Sequence, residues 1–166
     1  MTPSLKKTMD DNAYLDELRT AITPLVQEVG LKETAATVSP LFLAARYANA
    51  TTGVEFAVEW RELSPRVTLF ELSGGAFVDL QDPVQLSGPR RVSFDADDLL
   101  NLRKPAPSPV GRRLRRKGPG EIEWVMSLYS QALLTAASDV LHGDFEVFDQ
   151  LDAIVSARAG SLGSGS

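Results

Sequence analysis

From Val54 to Arg61 the chain alternates without a break: Val54, Phe56, Val58 and Trp60 fall on one side, and Glu55, Ala57, Glu59 and Arg61 on the other. A repeat of two residues fits an extended strand and no helix, with one face dry and the other wet. Such a strand needs neighbours beside it and an apolar layer over its dry face. Upstream, Leu41, Leu43, Ala45 and Tyr47 alternate with Phe42, Ala44 and Arg46, and Asn49-Ala50-Thr51-Thr52-Gly53 reads as the connecting turn. Downstream, Leu63-Ser64-Pro65 turns the chain into a strand over 66–72, and Ser73-Gly74-Gly75 signals a hairpin into a strand over 76–80. A loop with Pro83, Gly88 and Pro89 precedes one more short strand over 91–94. Short strands joined by short turns predict an antiparallel meander.

Helical spacing brackets this region. Leu15, Leu18, Ile22, Leu25, Val26 and Val29 share one helical face, with Asp11 or Asn12 as N-cap and Gly30 as the stop. Pro24 is expected to kink or split that helix near Thr23. Asp95 caps a short helix over 96–102, with Asp98 in its first turn. Pro119 suits the first turn of a long helix reaching His142 and Gly143, whose stripe is Ile122, Val125, Met126, Tyr129, Leu133, Ala136, Ala137 and Val140. Asp144 caps a last helix carrying Phe145, Phe148, Leu151, Ile154 and Val155. Helices at the ends and strands in the middle predict an α+β fold. Its centre is a four- to five-stranded antiparallel sheet flanked by an N-terminal helix and two C-terminal helices. Residues 1–10 are expected to be a flexible N-terminus, 11–159 a single domain, and 160–166 a flexible Gly/Ser tail.

The segment from Lys104 to Gly120, with three alternating prolines and then Arg112, Arg113, Arg115, Arg116 and Lys117, fits neither periodicity. It reads as a loop over 104–118. The chain carries a net charge of −5, so subtracting these five cations leaves −10 on everything else. An acidic body thus carries one concentrated positive element. Three readings of it stay open: a solvated connector folded back on its own acidic surface, a contact for an acidic protein partner, or a contact for nucleic acid or an anionic membrane surface. Against the last stand a sequence pI of about 4.9 and the lack of any aromatic residue interleaved with the arginines.

The absence of cysteine excludes disulfides, thiolate metal sites and a Cys nucleophile. The longest apolar run, Leu41 to Ala45, is far short of a membrane span, and no apolar run follows Lys6 and Lys7 to make a secretory signal. A cytoplasmic location is the expectation. The single histidine, His142, sits where a cation meets a helix C-terminus, and no Gly-x-Ser-x-Gly elbow exists for it to serve. Asp95, Asp97 and Asp98 read as helix-capping carboxylates, without the loop a calcium site requires. Glu55 and Glu59 stand on one strand face about 13 Å apart, too far for a glycosidase pair, and with Arg61 they form a wet sheet face that is a second candidate surface. The glycines of Ser73-Gly74-Gly75 and Gly118-Pro119-Gly120 match no nucleotide loop. The second cluster does precede a helix whose first-turn amides, with Arg115, Arg116 and Lys117, offer a phosphate cradle opposed by Glu121 and Glu123.

In outline the chain resembles small bacterial interaction modules, the toxin-immunity proteins and the secretion chaperones. That resemblance implies a protein-binding module, and since the sequence offers no nucleophile–base constellation, metal cluster or nucleotide loop, a non-enzymatic module with no cofactor and no metal is the expectation. Arg112, Arg113, Arg115, Arg116 and Lys117 are the partner-binding candidates, with Glu55, Glu59 and Arg61 as the alternative surface. An enzyme without a recognisable motif and a regulatory nucleic-acid binder using 112–117 are the other two readings, and a homodimer is compatible with all three.

Overall fold

The computed structural model describes residues 10–77 and 91–163. Helix α1 (Asp11–Val29) leads into strands β1 (Lys32–Val38), β2 (Phe42–Ala48), β3 (Thr52–Glu59) and β4 (Ser64–Glu71). A short β5 (Ser93–Asp95) follows, then α2 (Ala96–Arg103), α3 (Glu121–Ala136), α4 (Ser138–Leu141) and α5 (Glu146–Gly163). The strands form one antiparallel sheet in the order β1-β2-β3-β4-β5, so the fold is α+β.

The alternation from Val54 to Trp60 is realised in the core. Val54, Phe56 and Val58 are fully buried and Trp60 nearly so, in one cluster with Tyr14, Leu18 and Ile22 of α1 and with Ile122, Met126 and Tyr129 of α3. Leu43, Ala45 and Tyr47 of β2 and Val67 and Leu69 of β4 join it. The helices therefore cover one face of the sheet. Long-range hydrogen bonds lock the layers, since Thr52 donates its hydroxyl to the Val140 carbonyl at 2.7 Å and the Asn49 amide reaches the Leu141 carbonyl at 3.0 Å.

Several local expectations are corrected. Strand β1 was not legible as a strand: most of its length is exposed on both faces, so no apolar alternation marks it. The expected 76–80 strand is represented by a single Ser73–Ala76 bridge across Gly74 and Gly75, both at positive φ. Residues 78–80, like the loop with Pro83, Gly88 and Pro89, lie outside the described residues. Pro65 lies inside β4 rather than in a turn, opposite Val58; β5 pairs only with Thr68–Phe70, so the missing Pro65 amide breaks no ladder bond to β5. Helix α1 is capped by Asp10, whose carboxylate accepts the Asn12 amide, and it runs unbroken through Pro24, which sits on its exposed side where water can bond the freed carbonyl. The long C-terminal helix starts at Glu121, not Pro119, and breaks at Ala137 into α3 and α4. Asp144 does accept the Glu146 amide at the start of α5, but that helix continues to Gly163, so the stretch expected to be a tail from 160 is helical that far.

Candidate functional site

The arginine segment has no regular structure, yet it is not a free loop. Lys104, in the left-handed region, ends α2, and Pro105, Ala106 and Pro107 run beside Gln131, Ala132 and Thr135 of α3. Leu114 is the anchor, 3% exposed in the main core, with its amide donating to the Leu63 carbonyl at 2.9 Å. Val110 packs against the same core. The one apolar residue within the basic run therefore points inward, and its neighbours must point out.

Each cation then meets a different environment. The Lys117 ammonium lies 4.9 Å from the Trp60 ring centroid, 5.6 Å from that of Tyr14 and 3.5 Å from the Asp11 carboxylate, so it ties the loop to α1. Arg115 pairs with Glu121 at 3.3 Å and lies over the Trp124 ring at 5.2 Å, and the Glu121 carboxylate, itself 5% exposed, also accepts the Arg115 amide. Arg112 approaches the same ring at 5.9 Å while donating to the Ser108 carbonyl. Arg113 and Arg116 are exposed and pair with no described carboxylate. Trp124 is 37% exposed. The result is an indole plate with the Arg112 and Arg115 guanidinium groups against it, while Arg113 and Arg116 are the exposed cations of the same loop.

Two of the amides at the start of α3 are already taken. Glu17 of α1 accepts the Gly120 amide at 3.0 Å and the Glu123 amide at 3.3 Å. A body carboxylate thus occupies the place in which the sequence offered a phosphate, and it complements the helix dipole there.

The second candidate surface does not assemble as a unit. Glu55 pairs with Arg46 at 2.6 Å on the open sheet face, and Arg46 in turn lies over Phe77 at 4.8 Å and Phe70 at 5.6 Å. Glu59 accepts the amides of Arg61 and Glu62, closing the turn after β3. Arg61 belongs to that turn and not to the strand, because β3 ends at Glu59. Glu55 and Glu59 are both engaged within the fold.

His142 and the three aspartates at the start of α2 have structural partners. His142 Nδ1 lies 2.6 Å from the Ser138 carbonyl at the end of α4. Asp95 caps α2 through the Asp97 amide, Asp97 accepts the Tyr129 hydroxyl at 2.7 Å, and Asp98 pairs with Arg158 at 2.8 Å. Burial holds the Asp95 and Asp97 carboxyls above the usual carboxylate range, and burial together with the Asp97 bond raises the Tyr129 hydroxyl. Conversely, the Arg19 guanidinium lowers Glu33 and the Arg103 guanidinium lowers Asp139. Among the described residues no group of three His, Cys, Asp or Glu is arranged to hold a metal ion. None of the described helices is long and apolar enough to cross a membrane.

No protein-family model, curated protein or solved structure matches this chain.

Trp124 is the residue that reading the arginine run in isolation misses. Its signal was present, for the stripe of Ile122, Val125, Met126 and Tyr129 leaves position 124 on the wet side of α3. What the spacing does not give is that the loop folds back to set Arg112 and Arg115 against it.

Proposed function

We infer that this chain is a non-catalytic protein-binding module that docks an acidic segment of a partner on the plate formed by Trp124, Arg112 and Arg115, with Arg113 and Arg116 as the free charges. The observation that carries this reading is the partly exposed Trp124 indole of α3, contacted by two guanidinium groups of a loop that Leu114 anchors in the core. Tryptophan and arginine are the residues most enriched at interface hot spots, and a fixed loop loses little entropy on binding. Guanidinium forks bind carboxylates in a two-point geometry. Lys117 acts as a tether and is not expected to touch the partner. The same indole-arginine plate could stack a nucleobase, but an acidic body repels a polyanion over its length and tolerates a short acidic segment at one positive spot.

The test compares two probes on the parent and on the variant with Arg112, Arg113, Arg115 and Arg116 all changed to Ser. A Glu/Asp-rich peptide and a single-stranded DNA oligonucleotide are titrated separately while indole fluorescence is followed. Peptide binding that weakens as salt rises from 0.1 to 1 M, where the screening length falls from about 10 Å to about 3 Å, and that disappears in the variant, supports the reading. Binding of the oligonucleotide alone would assign the plate to nucleic acid. Equal binding of the peptide by parent and variant would make the loop a connector.

A further inference from the structure

Among the described residues, strand β1 leaves one edge of the sheet open along seven residues, whereas β5 at the opposite edge has three. The ladder fixes which peptide groups point outward. Ser39 donates its amide to the Phe42 carbonyl at 2.9 Å, which closes the β1–β2 hairpin. Bonded and non-bonded pairs alternate along an antiparallel ladder. Thr37 opposite Ala44 is therefore a bonded pair, while Ala36 opposite Ala45 and Val38 opposite Leu43 are not. The N–H and C=O groups of Ala36 and Val38 thus point away from β2. The stretch from Thr34 to Val38 is uncharged, and its side chains are small enough for another backbone to approach.

We propose that β1 pairs with β1 of a second copy of this chain, antiparallel about a two-fold axis at Thr37, giving one continuous sheet through a homodimer. The self-complementarity of the edge argues for this occupant. A two-fold at Thr37 sets Ala36 opposite the partner's Val38, and Val38 opposite the partner's Ala36, so every outward group of these residues finds a bond. Thr37 faces its own copy, and Thr–Thr is a favourable cross-strand pair. The pairing stops where it should. It places Thr34 opposite the partner's Pro40, which has no amide to offer, and Thr34 lies in the irregularity between Glu33 and Ala35, where the β1–β2 register shifts. The hairpin turns through Pro40 and Leu41 into β2, so Lys32 and Glu33 lie beyond the paired stretch and no like charges meet. A two-fold at Ala36 would instead oppose Val38 to the irregular Thr34 and lose these bonds. The contact is isologous, as dimer interfaces with closed symmetry are, and is expected to be reversible with concentration.

Sedimentation velocity on the full chain tests this. The parent should move from the 18.0 kDa monomer toward twice that mass as concentration rises. Thr37→Lys and Thr37→Glu each put like charges face to face and should raise the dissociation constant about tenfold. Mixed in equal amounts, the two variants should recover dimer, because Lys then faces Glu. Ala36→Pro removes an outward amide without touching the β1–β2 ladder and should weaken the dimer roughly thirtyfold. Thr37 and Ala36 are exposed, so far-UV circular dichroism should match the parent, and the charge pair decides alone if the proline variant does not fold. A parent that stays monomeric at every concentration overturns the proposal. So does a dimer indifferent to these substitutions, or a charge-variant mixture that remains monomeric.

Discussion

Leu114→Ala separates a built loop from a passive one. Leu114 is the apolar residue in the middle of the basic run, 3% exposed, and its amide donates to the Leu63 carbonyl. Truncation removes three carbon-sized groups, worth about 2.4 kcal/mol at ~0.8 kcal/mol each. The cavity left behind adds a cost that depends on how far the surroundings collapse, and core Leu→Ala changes span about 2–5 kcal/mol in all. A loop has more freedom to settle than a helix, so the lower part of that range applies, about 2–3 kcal/mol. With a urea slope of about 2 kcal/mol per molar, the unfolding midpoint should fall by about 1–1.5 M. The two tryptophans report the transition, and amide exchange at Leu114 should accelerate as its bond to Leu63 loosens. Peptide binding should weaken too, although no arginine has changed, because the plate must then be ordered on binding. A midpoint within about 0.3 M of the parent, with Leu114 exchange unaltered, would show that the loop is not held by this residue and would remove the physical basis for a preformed plate.

Phe56→Ala opens the centre of the core, where Phe56 is fully buried and meets the Tyr47 ring edge-on at 6.0 Å; a loss of about 3–5 kcal/mol is expected by urea unfolding, and a loss below about 1 kcal/mol would contradict the assigned sheet face. Thr52→Val deletes the hydroxyl that bonds the Val140 carbonyl at 2.7 Å, but that carbonyl keeps the Gly143 amide at 3.1 Å, so a cost of only about 0.5–1.5 kcal/mol is expected by urea unfolding, and a cost above about 3 kcal/mol would show that the Gly143 bond does not satisfy the buried acceptor. Asp97→Asn keeps an oxygen for the Tyr129 hydroxyl while removing a buried charge. Because the folded-state pKa of Asp97 is raised by burial, the native chain holds its proton to higher pH than the unfolded chain, and parent stability falls as pH rises from the unfolded value near 3.8 through the raised folded value. The variant lacks that decline, so its stability relative to the parent should grow across this window; a relative stability that shrinks with rising pH would show that the carboxylate is the favoured form.

Phe56, Val58 and Trp60 declare their strand and its dry face because period two is a local property of the backbone, and burial on that face is the simplest way to satisfy it. Gly30 as helix stop and Asp95 as helix cap were legible for the same reason, since capping acts over a few residues. The arginine segment was legible as irregular, because prolines lack donors wherever the chain goes. Other features were settled only when distant parts met. An edge strand exposed on both faces has no reason to carry an apolar pattern, and β1 exists because β2 supplies its hydrogen bonds. Pro24 leaves α1 whole because tertiary packing of Leu18, Ile22 and Leu25 outweighs one missing bond on the wet side. The separate fates of Lys117, Arg115 and Arg113 depend on Tyr14, Trp60, Glu121 and Trp124, and Tyr14 and Trp60 are far from them in sequence. A sequence fixes charge and local periodicity through covalent neighbours. Which cation is tethered and which stays open is decided by contacts between residues that only the fold brings together.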